Sequence, residues 1–125
     1  MTSHAFDSNI VIDALAGFGP ARDEIRRALD QGGAWVSRMV WVEVLSKGAS
    51  RDVQDTQAFL GGFNVDEIDA DIALRAAALR RERRRLKSPD AIILASATRH
   101  GRILVTRNIR DFPAAMPGIR VPYLL

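Results

Sequence analysis

The sequence predicts an α/β protein whose mainly parallel sheet is covered by helices on both faces. Short apolar runs alternate with longer stretches of helical periodicity, the pattern of successive strand and helix units. Gly and Pro punctuate single turns at Gly17-Phe-Gly-Pro20, Gly32-Gly33, Gly61-Gly62 and Pro113 to Pro117 without opening a linker. The 125 residues, 47% apolar and 26% charged, have the size and composition of one globular domain. No repeat or low-complexity tract interrupts them, so a single domain over residues 1–125 is expected.

Each element follows from local signals. Residues 5–7 read as a short strand, and Ser8-Asn9, both cap-type residues, lead into a helix over residues 10–16. Residues 20–31 form a charged amphipathic helix, residues 35–37 a strand after Gly32-Gly33, and residues 39–47 a helix with Trp41, Val44 and Leu45 as its stripe. A further helix is expected over residues 51–60, a strand over 63–68, and a helix over 69–85 with Ala and Leu at 73, 74, 77 and 78 on one side. Ser88-Pro89-Asp90 starts the next helix, with Ser as N-cap and Pro in the first turn, and Gly101 stops it. Residues 102–106 follow as a short buried strand. In such a sheet, ligands gather beyond the carboxyl ends of the strands.

Composition excludes several chemistries. With no cysteine there is no disulfide framework, no thiol catalysis and no Cys-based metal site. The first residues, Met1-Thr-Ser-His-Ala-Phe-Asp, have neither a basic nor an apolar leader segment, and no apolar run approaches the ~18 residues of a membrane span. A cytoplasmic protein without membrane attachment is expected. His4 and His100 are the only histidines and have no Ser nucleophile in a recognisable motif nearby. No Gly cluster leads to the Gly-Lys-Ser/Thr of a phosphate-binding loop.

The net charge of +3 hides a division along the chain. Residues 1–74 carry 6 basic and 12 acidic side chains, whereas residues 75–110 carry 11 basic side chains against Glu82 and Asp90. Of the 18 basic residues 16 are arginine, whose planar fork suits phosphate or carboxylate. This asymmetry points to an anionic partner, nucleic acid first, although a solvated helix face would look similar.

Four acidic residues stand in unusual places. Asp7 lies at a strand tip between Ala5-Phe6 and Ile10-Val11-Ile12, where it would also serve as a helix cap. Glu43 interrupts Met39-Val-Trp-Val-Glu-Val-Leu45; Lys47 at i+4 is a simple partner, yet the apolar neighbours argue for a half-buried carboxylate needing a stronger one. Asp90 sits in a first helical turn, where the helix dipole favours negative charge. Asp111 ends Thr106-Arg-Asn-Ile-Arg-Asp, where a turn would also place Asn and Asp. Together these positions can converge at one rim of a doubly wound sheet. Gathered carboxylates repel and raise one another's pKa unless a cation neutralises them, and an all-oxygen set suits Mg²⁺ or Mn²⁺ over zinc.

Phe6-Asp-Ser-Asn-Ile10, Ser37 followed by Glu43, Ser88-Pro-Asp-Ala-Ile-Ile-Leu-Ala-Ser-Ala97 and Val105-Thr-Arg-Asn-Ile-Arg-Asp-Phe112 occur in the order seen in PIN-domain proteins. The chain resembles that family from Phe6 to about Val121, and most of all a VapC-type toxin of a bacterial toxin–antitoxin pair. The resemblance implies a three-layer α/β/α sandwich with a central, mainly parallel sheet. It also implies a Mg²⁺- or Mn²⁺-dependent endoribonuclease leaving 5′-phosphate and 3′-hydroxyl ends, a homodimer, and inhibition by a cognate antitoxin. Asp7, Glu43 and Asp90 match the family's acids, with Asp111 as a further catalytic candidate. The implied metal ligands are Asp7, Asp90, Glu43 and Asn108, the last standing where many relatives carry an acid. Ser8, Asn9 and Thr106 would support the site, and Arg84, Arg85, Lys87, Arg107 and Arg110 would meet the RNA backbone.

Two other readings remain. A non-catalytic PIN-like RNA-binding module would keep the fold and basic face without turnover. A phosphatase with Asp7 as nucleophile would ordinarily carry a second Asp where this chain has Asn9.

Overall fold

The computed structural model describes residues 2–47 and 52–125, apart from the side chain of Lys47. The expected Glu43–Lys47 pair therefore lies outside the described residues, as does the expected helix start at Arg51.

The chain folds as β1 (His4–Phe6), α1 (Ser8–Leu15), α2 (Gly19–Gln31), β2 (Ala34–Ser37), α3 (Arg38–Lys47), α4 (Val53–Leu60), β3 (Asn64–Asp66), α5 (Ala70–Glu82), α6 (Ser88–Arg99), β4 (Ile103–Val105) and β5 (Ile119–Arg120). The five strands form one parallel sheet in the order β3-β2-β1-β4-β5. Parallel neighbours require crossovers, which the helices supply. Because β2 and β3 lie on one side of β1 and β4 on the other, right-handed crossovers put α1 to α4 on one face and α5 and α6 on the opposite face. The packing agrees: α1 meets α2 and α3, α3 meets α4, and α5 meets α6. This is the expected three-layer α/β/α sandwich.

The core fills both interlayer spaces. Phe6, Val36 and Leu104 from the strands pack with Ile10, Val11, Val40, Val44, Ile72 and Ile93 from the helices, all of them buried. Phe63 joins Phe6 and Phe59 in tilted and edge-on ring contacts with centroids 5.9 and 5.7 Å apart. Among the described residues, no helix is long and apolar enough to cross a membrane.

Local details depart from the sequence expectations in four places. Helix α1 is capped by Asp7, whose side chain accepts from the Ser8 N–H, while Ser8 and Asn9 are already helical. Helix α6 starts at Ser88, with Lys87 in the cap position making no side-chain cap bond, so Ser88 is not the N-cap. Helix α5 ends at Glu82, and its buried positions are Ile72 and Ala76, with Leu79 half-buried; Leu74 is 71% exposed. The apolar residues at 73, 74 and 77 therefore do not form the packed stripe. Strand β5 was not expected, because Ile119-Arg120 is too short to show periodicity and owes its pairing to β4.

The phase of α5 yields a direct test. Ile72→Ala should lower stability by about 2–5 kcal/mol, and Leu74→Ala by no more than about 0.5 kcal/mol, in urea unfolding. Equal losses would contradict the helix orientation.

Candidate active site at the sheet switch point

In an open parallel sheet the crevice lies where the strand order reverses. Here the reversal falls at β1, which pairs with β2 on one side and β4 on the other. Phe6 is in register with Val105, and the next residue along each strand is polar: Asp7 after β1 and Thr106 after β4. The Asp7 N–H donates to the Val105 carbonyl at 2.9 Å, fixing the aspartate at the floor of the crevice.

Asp7 is 3% exposed, and its carboxylate is held on several sides. Oδ1 accepts from the Ser8 N–H at 2.8 Å. Oδ2 accepts from the Thr106 hydroxyl at 2.7 Å and from the Asn9 side-chain amide at 3.3 Å. Asn9 in turn accepts from the Arg107 N–H at 3.4 Å, so α1 and the segment after β4 are stitched together across the aspartate.

Glu43 arrives from the other side of β1. Helix α3 follows β2 without a loop, and Ser37 Oγ accepts from the Met39 N–H at 3.1 Å to turn the chain. Buried Val40 and Val44 anchor the helix and leave Glu43, between them, half-buried. Its Oε1 accepts from the Ser8 hydroxyl at 2.7 Å. Asp90 comes from the first turn of α6, in the opposite helical layer.

These carboxylates act on one another. Burial pushes the Asp7 carboxyl up to about 6; the bonds from Thr106 and Ser8 oppose the rise, and the charges of Asp90 and Glu43 add to it. A hard divalent cation would relieve that strain, and every donor present is oxygen. Asp7, Asp90 and Glu43 are the residues from which the sequence reading expects such an ion to draw its ligands. Among the described residues, however, no three Asp, Glu or His side chains converge as a ready-made metal cage.

The remaining candidates lie one step outward. The Asn108 N–H donates to Thr106 Oγ1 at 3.0 Å, while its side chain exchanges two bonds with Asp111: Nδ2 to Oδ2 at 3.0 Å, and the Asp111 N–H to Asn108 Oδ1 at 3.2 Å. Asp111 thus meets the site through Asn108 and Thr106, and itself borders a cleft with Arg84, Arg85 and Arg110. Lys87 is exposed at the cap of α6.

Arg107 has a different setting. Its guanidinium forks onto Asp13 at 2.7 and 3.1 Å, and the Tyr123 hydroxyl donates to the same carboxylate at 2.8 Å. Burial alone would raise the Asp13 carboxyl, but the bonds from Arg107 and Tyr123 outweigh it and hold it below its usual value. Asp13 and Tyr123 escaped the sequence reading. Asp13 interrupts Ile10-Val-Ile-Asp-Ala-Leu as Glu43 interrupts its own apolar run, so the same signal could have found it; Tyr123 offered none.

The raised Asp7 carboxyl predicts how stability depends on pH in chelator. Between about pH 4 and 6 the unfolded chain has lost a proton that the folded protein keeps, so this group lowers stability as pH rises. A rise from 3.8 to about 6 corresponds to about 3 kcal/mol at neutral pH. Asp7→Asn should therefore gain stability on wild type by up to that amount between pH 4 and 7, measured by denaturant unfolding at each pH. A pH-independent difference would contradict the assignment.

Comparison with known proteins agrees with this fold. A model of the PIN domain matches residues 5–115. A toxin–antitoxin complex from Klebsiella pneumoniae contains a chain 40% identical, with a TM-score of 0.85, the match covering 98% of this chain and 100% of that one. The same fold recurs in DNA-bound VapBC from Salmonella typhimurium, at 22% identity, TM-score 0.73 and 96% of each chain. It recurs again in VapBC2 from Rickettsia felis bound to a fragment of its promoter DNA, at 20% identity, TM-score 0.75, and 94% and 96% of the two chains. No match was found among curated protein sequences. The chain shares its fold with chains of the VapBC complexes and is 40% identical to a chain of the toxin–antitoxin complex, and it belongs to the PIN-domain family.

Proposed function

We propose that this protein is a Mg²⁺- or Mn²⁺-dependent endoribonuclease acting as the toxin of a type II toxin–antitoxin pair. The observation that carries this reading is the buried Asp7 at the switch point, its proton affinity raised by burial and by Asp90 and Glu43. Membership of a family whose VapC-type toxins are generally nucleases supports it.

In this reading Asp7 and Asp90 are the principal ligands, with Asn108 able to add a neutral carbonyl. Glu43 ligates the ion, orients the attacking water or takes its proton. When bound, the ion polarises the scissile phosphate and eases deprotonation of water. The chain's own groups supply position: Thr106, Asn9 and the Ser8 N–H fix the Asp7 carboxylate, and the Ser8 hydroxyl aims Glu43. Asp111 shapes the turn that carries Asn108. Arg84, Arg85, Lys87 and Arg110 draw in RNA, whereas Arg107, its charge met by Asp13, contributes less. The Klebsiella pneumoniae complex supports an antitoxin partner, and we extend the proposal to a cytoplasmic homodimer of one domain per chain.

A second reading, a non-catalytic PIN-like RNA-binding module, draws on the lack of a converged acidic cage among the described residues. Mapping new 5′-phosphate ends on total RNA separates the two. Discrete ends should require divalent metal and vanish in EDTA. Asp7→Asn and Asp90→Asn should reduce them by more than the roughly 10- to 100-fold expected for the supporting variant Thr106→Val. Cleavage unaffected by EDTA would overturn the mechanism, and RNA binding without any new ends would favour the binding module.

A further inference from the structure

The cationic side chains among the described residues fall into two structural classes. Arg26, Arg27, Arg38, Arg75, Arg99, Arg102, Arg107 and Arg120 each pair with a carboxylate. Arg80, Arg81, Arg83, Arg84, Arg85, Lys87 and Arg110 make no ion pair among the described residues, and Arg22, which caps the Ala14 carbonyl, is the only other such arginine there. Uncompensated charge is thus concentrated around the turn between α5 and α6. The dipole of α5 accounts for Arg80 and Arg81 in its last turn, but not for Arg83 to Arg85 beyond it or Arg110 across from it.

The turn is built rather than loose. Leu86 is buried beneath it, and the Arg80 Nε–H donates to the Leu86 carbonyl at 2.9 Å. Arg83 Nη2 donates to the Asp111 carbonyl, while its Nη1 is buried without an acceptor. Two clefts open here. One, about 260 Å³, lies between Arg83, Arg84, Arg85, Leu86, Arg110 and Asp111. The other, about 350 Å³, lies between Ala77, Arg80, Arg81 and Arg84. Arg84 borders both, so they adjoin, and the first is also bordered by Asp111 of the turn that Asn108 ties to Thr106 and hence to Asp7.

We infer that the α5–α6 turn is a backbone-phosphate track, whose two adjoining clefts take successive phosphates of a single-stranded RNA next to the one lying at Asp7. The inference rests on the ribonuclease reading for the direction of the strand. Guanidinium forks match phosphate oxygens two at a time, and those of Arg81, Arg84, Arg85 and Arg110, exposed and without a carboxylate partner among the described residues, are available for this. The track reads charge and spacing without reading bases.

Binding of a short oligouridine to the Asp7→Asn protein, followed by anisotropy across a salt series, tests this. Each phosphate contact with a single strand adds about 0.7 to the slope of log affinity against log salt. The triple variant Arg81→Gln/Arg84→Gln/Arg85→Gln should lower that slope by about 1.4, two contacts. A distant triple of equal charge, Arg22→Gln/Arg26→Gln/Arg27→Gln, should leave it unchanged. All three track positions are exposed, and Arg84→Gln alone, expected to lower the slope by at least one contact, provides the test if the triple variant does not fold. An unchanged slope, an equal effect of the distant triple, or an equal loss of polyglutamate binding would overturn the inference, the last because it would mark a site for acidic peptide. Since binding is read on a cleavage-silent protein, failure of wild type to cut RNA would count against the nuclease reading alone.

Discussion

An ionisable carboxylate buried at the tip of the central strand is the constraint around which this molecule is arranged. Burying Asp7 disfavours its charge, and the protein answers with donors from two directions: the start of α1 through Ser8 and Asn9, and the end of β4 through Thr106. That answer is only possible because β1 and β4 are neighbours in register, so their next residues face each other across one crevice. Asp90 and Glu43, from opposite layers, then push the same carboxyl upward instead of down. The carboxyl is thereby held at a raised proton affinity while its orientation is fixed by hydrogen bonds.

Around that centre the charges are distributed by sign and by partner. Apart from Arg22, which bonds the Ala14 carbonyl, the described arginines outside the α5–α6 turn and Arg110 are pinned to carboxylates and serve the fold. Arg102 forks onto buried Asp66 at 2.8 and 2.7 Å while stacking on Trp35, with 3.5 Å from its guanidinium carbon to the ring centre. Arg120 forks onto Glu24 and holds the short edge strand β5 to α2. Arg107 belongs with them: together with Tyr123 it ties the C-terminal segment and the turn after β4 to Asp13 on α1. Of the arginines of the α5–α6 turn, Arg80 and Arg83 donate to the Leu86 and Asp111 carbonyls, but none pairs with a carboxylate among the described residues, and repulsion among the exposed ones is tolerated because solvent screens their charge.

The turn after β4 connects the two regions. Asn108 and Asp111 satisfy each other, Asn108 touches Thr106 through its N–H, and the Asp111 carbonyl takes Arg83. Buried Phe112 anchors the turn. A neutral amide at position 108 lets that reciprocal bond form, since a carboxylate there would face the Asp111 carboxylate across the same gap.

Much of this was legible in the sequence, because its signals are local. Alternating apolar runs and cap residues specified four strands and all six helices to within a few residues, and an acid set among apolar neighbours marked Asp7 and Glu43 before any fold was known. What could not be read locally was phase, partner and pairing. The packed side of α5 follows from where α6 lies, so Ile72 is buried and Leu74 is not, although both are apolar. Strand β5 exists because β4 offers it an open edge. Which arginines are free depends on carboxylates distant in sequence, 94 residues away for Arg107 and 96 for Arg120. The chain by itself therefore determined every element but β5 and marked the acidic residues from which the candidate site is drawn. Only the tertiary structure decided which charges face one another, because Coulomb and hydrogen-bond energies depend on separation in space and not along the chain.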